Sequence, residues 1–158
     1  MTGRTLSRRT AAATTAALAM TAALITGAAA VPASAATAAV VCSDLGILSD
    51  PQNASSTGTA TTATGRTGTA QVRYGTSGGV RYAWARTTSY EYDDLYIKFE
   101  IDTNGDGDAN CSHYREATSR TYTTGRQTER ADGVRYRGCL LFDPDHDCDA
   151  AATKTGWW

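Results

Sequence analysis

An all-β fold, a small antiparallel sandwich or partly open barrel stabilised by disulfides, follows from three observations on this 158-residue chain. First, Leu95, Ile97, Phe99 and Ile101 alternate with Tyr96, Lys98 and Glu100, the two-residue period of a strand with one buried and one wet face. Second, short runs rich in β-branched and aromatic residues are separated by Gly, Asn and Asp turns. No segment after residue 35 places apolar residues at helical spacing over three turns. Third, Cys42, Cys111, Cys139 and Cys148 form an even set behind an export-type N-terminus, which reads as two disulfides.

The chain begins with Arg4, Arg8 and Arg9, continues through an apolar Ala/Thr stretch from Ala11 to Val31, and reaches a small-residue cleavage site at Ala33-Ser34-Ala35. Residues 1–35 therefore read as a cleaved secretory signal peptide, a disordered or helical segment, and the destination as secreted or extracellular. Its apolarity comes mainly from alanine, which disfavours a stable membrane anchor. Signal and composition together resemble those of small proteins secreted by high-GC Gram-positive bacteria. Removing three arginines with the signal leaves 12 Lys+Arg against 16 Asp+Glu, a formal charge of −4. That balance argues against nucleic acid as a partner and against adsorption to anionic membranes, both of which need a basic face.

Residues 36–70 read as an N-terminal segment and linker. Val40, Val41, Leu45, Ile47 and Leu48 are apolar enough to pack, but Asp50 to Ala70 is Ser/Thr/Gly-rich with little to bury. A flexible linker is expected there, with an edge strand as the alternative because threonine suits a pleated surface. Residues 71–158 are expected to form the β-domain. Val72–Tyr74 and Val80–Ala85 read as strands joined by the Gly75–Gly79 turn. Val80, Tyr82 and Trp84 share one face, and Trp84 is expected as a core anchor. Thr87–Asp93 reads as a link, Ser112–Tyr122 as a half-buried strand, and Val134–Phe142 as a strand stopped by Asp143-Pro144. Of the three cysteine connectivities, Cys42–Cys111 with Cys139–Cys148 is favoured, since the second pair closes a short loop and the first ties down the N-terminus.

Chemistry is sought first in the acidic turn after the central strand. Asp102, Asn104 and Asp106 sit at alternate positions, followed by Gly107, Asp108 and Asn110. This run resembles the opening of calcium loops of the EF-hand and dockerin type, where oxygen ligands at positions one, three and five surround the ion and glycine at six permits the bend. The resemblance covers about seven residues; His113 stands where the bidentate Glu belongs, and a strand rather than a helix leads in. It implies an oxygen cage for Ca2+ from Asp102, Asn104, Asp106, Asp108 and Asn110, not an EF-hand fold. The competing reading is a hairpin turn, for which Asn104-Gly105 is a favoured dipeptide. A second acidic run, Asp143, Asp145, Asp147 and Asp149, reads as a solvated loop closed by a disulfide and wants cationic neighbours.

An enzyme reading has a thin inventory. Glu91, arginines including Arg130, and His146 follow the chain order of a base, a phosphate-binding group and an acid, and so resemble small secreted microbial ribonucleases. Aromatics offer another chemistry. Eight Tyr and three Trp exceed what a small core needs, and Tyr90, Tyr92 and Tyr96 are expected to face outward, where such rings suit sugars or protein partners. The expectation is thus an exported β-module that binds an extracellular protein or carbohydrate, with calcium as a structural ion. A ribonuclease-like hydrolase and a hydrolase inhibitor are the alternatives.

Overall fold

Two antiparallel sheets face each other, built from nine strands among the residues described by a computed structural model, 40–128 and 133–158. The expected signal peptide lies outside the described residues, which belong to the unit Thr37–Trp158. In chain order the strands are β1 (Ile47–Leu48), β2 (Ser55–Gly65), β3 (Gly68–Ser77), β4 (Val80–Tyr90), β5 (Tyr96–Asp102), β6 (Cys111–Glu116), β7 (Gly125–Gln127), β8 (Arg135–Leu141) and β9 (Thr153–Lys154). The first sheet has the order β1-β7-β4-β3-β2 and the second β6-β5-β8-β9. Of the two expected architectures this is the sandwich. No α-helix occurs among the described residues.

The β3–β4 hairpin turns at Gly78-Gly79, with φ of +58° and +80°. Two positive φ values in succession make a type I′ turn, whose twist matches the strands it joins. The turn is shorter than expected, so β3 runs to Ser77, and β4 runs on to Tyr90 through most of the stretch expected as a link. From the turn the register is fixed along the ladder, pairing Arg73 with Trp84, Val72 with Ala85 and Gln71 with Arg86.

That register places small residues of the first sheet toward the second. Ala70, Val72, Ala83 and Ala85 join Ile97, Phe99, Ile101, Tyr136 and Leu140 in one buried cluster. The bulk comes from β5 and β8, and the first sheet supplies alanines that let it approach. Gly138 marks a close approach: a Cβ there would stand 3.1 Å from the Ala85 methyl and 3.2 Å from the Gln71 carbonyl oxygen. Burying each large aliphatic or aromatic side chain of β5 stabilises the fold by roughly 1.5–3 kcal/mol. Trp84 is buried as expected, but not between the sheets. It stands outside that cluster, on the opposite face from Ala83 and Ala85, where it lines a cavity with Gln52, Thr57 and Tyr122.

Two further expectations are corrected. The span 36–70 is not a linker throughout: β2 pairs with β3 from Ser55↔Thr76 to Gly65↔Gly68, and a 3-10 turn at Pro51–Asn53 precedes it. Polar and small residues hold this edge because β3 offers a full row of backbone partners, and the β-branched threonines fit the pleat. The strand expected over Ser112–Tyr122 ends at Glu116, and Tyr122 makes only an isolated bridge to Arg86. Both favoured disulfides are present, Cys42–Cys111 and Cys139–Cys148. The C-terminal tail packs home. Trp158 exchanges backbone hydrogen bonds with Tyr136 at 2.9 and 3.0 Å, and its ring stacks on Tyr74.

Candidate functional site

The acidic turn between β5 and β6 is held by its own hydrogen bonds. Asp102 is fully buried. Its Oδ1 accepts the N–H groups of Asn104 (3.1 Å) and Gly105 (2.6 Å), and its Oδ2 accepts that of Gly107 (2.9 Å). Asn104 donates from its side-chain amide to Asp106, and Asp106 accepts the Asp108 N–H at 2.9 Å. The Asp108 backbone bond first, and the Asn104 amide second, hold the Asp106 carboxyl below its ordinary pKa. Asn110 Oδ1 accepts from the backbone and hydroxyl of Thr103 at 2.7 and 2.9 Å. The five residues considered for calcium thus share one turn, where Asp102 and Asn110 direct their oxygens at the turn's own donors. Among the described residues no three or more His, Cys, Asp or Glu side chains are grouped so as to hold a metal ion.

The ribonuclease-like set is not assembled by any described contact. Glu91 is exposed just after β4, and its N–H bonds to the Thr67 carbonyl. His146 is exposed in the loop after β8, 3.8 Å from Asp143. Arg130 lies outside the described residues.

The outward face of β5 overturns the expectation that Lys98 and Glu100 are wet. Lys98 is 3% and Glu100 0% exposed, because the acidic loop 143–149 folds over them. Glu100 accepts from Arg137 Nε at 2.6 Å and from the Cys148 N–H at 2.8 Å, and lies 3.5 Å from Lys98 Nζ. Lys98 in turn donates to the carbonyl oxygens of Pro144 and His146 at 3.1 and 2.8 Å. Arg137 makes a two-pronged bond to Asp149, at 2.9 and 3.1 Å, and its guanidinium covers the Trp157 ring. Burial works to lower the Arg137 pKa, but the bonds to Asp149 and Glu100 outweigh it and hold the pKa above its ordinary value. The cationic neighbours that this run of carboxylates wanted are therefore Arg137, Lys98 and Lys154, and Cys139–Cys148 staples the loop onto them.

Beside this cover lies the surface that the aromatic count pointed to. Tyr92 and Phe142 are half exposed, with ring centroids 5.4 Å apart, and Tyr96 meets Tyr114 edge-on at 5.7 Å. One groove of about 340 Å³ is lined by Asp93, Asp94, Tyr96, Glu116 and Phe142. A second of about 390 Å³ is lined by Tyr96, Tyr114, Arg115, Glu116, Ser119 and Pro144. Tyr96 and Glu116 line both, so the grooves adjoin. Of the tyrosines expected outside, Tyr92 is exposed, whereas Tyr90 and Tyr96 are partly buried. Sequence reasoning missed Asp93, Asp94, Glu116, Tyr114 and Phe142 as a group. Their gathering depends on the pairing Tyr96↔Glu116 and Tyr96↔Leu141, which brings β6 and the end of β8 to either side of Tyr96. Comparison with protein-family models, with curated proteins and with solved structures finds no match for the chain.

Proposed function

We propose that the protein is an exported β-sandwich module that binds a carbohydrate of neutral or amino sugars in the adjoining grooves around Tyr96. One observation carries this reading: the exposed Phe142 and Tyr114 and the partly buried Tyr96, with Tyr92 packed on Phe142, border grooves that Asp93, Asp94 and Glu116 also line. Aromatic faces take the apolar face of a pyranose ring, and carboxylates accept from its hydroxyls or pair with an amino group. The two disulfides suit an oxidising compartment. Among the described residues no helix is long and apolar enough to cross a membrane. Calcium at the 102–110 turn is a separate part of the proposal, a stabilising ion added to a turn that its hydrogen bonds already close.

Pull-down on chitin, chitosan, cellulose and peptidoglycan tests the carbohydrate, followed by titration with soluble oligosaccharides of whichever matrix retains the protein. Tyr96→Ala and Tyr114→Ala are each expected to weaken binding about tenfold, equivalent to about 1.4 kcal/mol. Retention by none of the matrices, or retention unchanged in the double variant, would remove the reading.

A further inference from the structure

The outer face of the first sheet carries two arginines, Arg73 and Arg86, that form no ion pair among the described residues. There β3 and β4 set Arg73 directly across from Trp84, with Arg86 two residues along from the tryptophan on the same face. Together with Gln52, Thr57 and Tyr122 these side chains line a cavity of about 270 Å³. Among the described residues that line it, two are arginines and none is acidic. Arg120 adds a third cation, its guanidinium 5.1 Å from the centre of the Tyr122 ring. One carboxylate, that of Asp50, stands at the cavity's edge: it accepts the hydroxyl of Tyr122 at 3.1 Å and the N–H of Gln52, both lining residues, and the side-chain amide of Asn53.

The hydrogen bonding of the two arginines is incomplete. Arg73 donates from Nη1 to the Thr59 hydroxyl at 2.6 Å, but its Nε is shielded from solvent with no acceptor. Arg86 Nε is shielded in the same way, and its guanidinium has no ion pair or hydrogen-bond partner among the described residues. Gln71, across the ladder from Arg86, leaves its side-chain oxygen unpaired rather than serving that guanidinium. A buried donor without an acceptor is uncommon in native proteins, and a guanidinium cannot shed its proton to escape the cost. Arg137 of the second sheet shows the contrast, since its Nε and both Nη atoms bond to Glu100 and Asp149.

We propose that this cavity binds a small oxyanion, a carboxylate, phosphate or sulfate, between Arg73 and Arg86. Two planar forks of N–H donors match the paired oxygens of such groups, and the nearly buried Trp84 and Tyr122 form the floor beneath them. The volume limits the buried part to roughly one sugar ring or a comparable fragment. This site lies on the opposite sheet from the grooves around Tyr96 and does not depend on them.

The test follows the arginine Nε–H and tryptophan indole N–H signals of the 15N-labelled chain by NMR. Sodium glucuronate, inorganic phosphate and sodium sulfate are titrated in, against sodium chloride at equal ionic strength. Saturable shifts at Arg73, Arg86 and Trp84, absent with chloride, are expected from at least one probe. Glucuronate alone would assign a uronic-acid carboxylate, and phosphate or sulfate alone an ester-bearing ligand. Arg86→Gln should weaken the saturating probe at least tenfold, whereas Arg81→Gln, on the other face of β4, should leave it unchanged. Should Arg86→Gln fail to fold, Arg73→Gln and Arg86→Lys carry the same comparison. Shifts that stay linear with concentration, or that persist equally in the arginine variants, overturn the proposal.

Discussion

Replacing Glu100 by glutamine tests the ionic cover at its centre. The side chain keeps its shape and loses its charge, so cavity formation contributes little. In the native protein Glu100 is fully buried and answers Arg137 Nε at 2.6 Å, the Cys148 N–H at 2.8 Å and the Lys98 ammonium at 3.5 Å. Removing one member of a buried ionic group costs roughly 3–5 kcal/mol, chiefly because the partner charges stay behind without compensation. Here the partners retain other ligands: Arg137 keeps both bonds to Asp149, and Lys98 keeps two loop carbonyls. The loss should therefore fall at the low end, about 3 kcal/mol. Asp149→Asn provides the internal comparison. That carboxylate is 61% exposed and held below its ordinary pKa first by Arg137 and then by Lys154. Solvent screening there should limit the cost to roughly 1 kcal/mol or less. Urea denaturation under oxidising conditions measures both, with the midpoint falling and the slope unchanged if only stability is affected. Equal costs for the two variants, or a Glu100→Gln cost within error of zero, would refute the argument that burial makes this network sensitive.

Three other outcomes follow from the same geometry. His113, facing Arg126 at 3.4 Å, has its pKa lowered from 6.5 to about 4, first by burial and then by Arg126 and Arg115. The unfolded chain binds the proton first, so stability should decline as pH falls from about 6.5 toward 4. A His113→Gln variant should flatten that part of a stability–pH curve; an unchanged slope would contradict the assignment. Removing the second disulfide with Cys139→Ala/Cys148→Ala opens a loop of sequence separation 9 and should cost about 2.5–3 kcal/mol by the loop-entropy relation. Hydrogen exchange should then accelerate at the backbone amide of position 148, which bonds to Glu100 in the native protein, and an unchanged exchange rate there would show that the bridge does not hold the cover. For the 102–110 turn, cooperative melting in excess chelator is expected because Asp102 is held by three backbone donors. A melting temperature raised by calcium, and no longer raised in Asp106→Asn, would place the ion there; unfolding in chelator would overturn the view of a self-closed turn.

The inward face of β5 was legible in the sequence because alternation reports directly on which residues share a face. Leu95, Ile97, Phe99 and Ile101 are all fully buried. Its outward face was not, because the composition of a strand says nothing about a segment folding back over it from 46–48 residues away. Lys and Glu are ordinarily exposed, and here they are buried because the 143–149 loop brings the carbonyls of Pro144 and His146 to Lys98 and the Cys148 N–H to Glu100, while Arg137 of β8 pairs with Glu100. Trp84 is buried as its size suggested, but the side of the sheet on which it is buried was not legible, for a related reason. Ring size suggested the core, yet two sheets pack by complementing bulk with small residues, so the alanines of β4 face in and the tryptophan faces out. Part of the arginine cavity was within reach of sequence reasoning. A Gly-Gly hairpin turn at 78–79 forces each residue of β3 to pair with the β4 residue equally distant from the turn, which sets 73 against 84 and 71 against 86. Applying that register places two arginines and a tryptophan on one face before any coordinates are known. The third wall, Tyr122, was out of reach, since it arrives through a single bridge to Arg86 from a segment that the pattern assigned to a strand of its own. Local periodicity thus fixes faces and hairpin registers, while the sites on this protein arise where segments distant in sequence close over those faces.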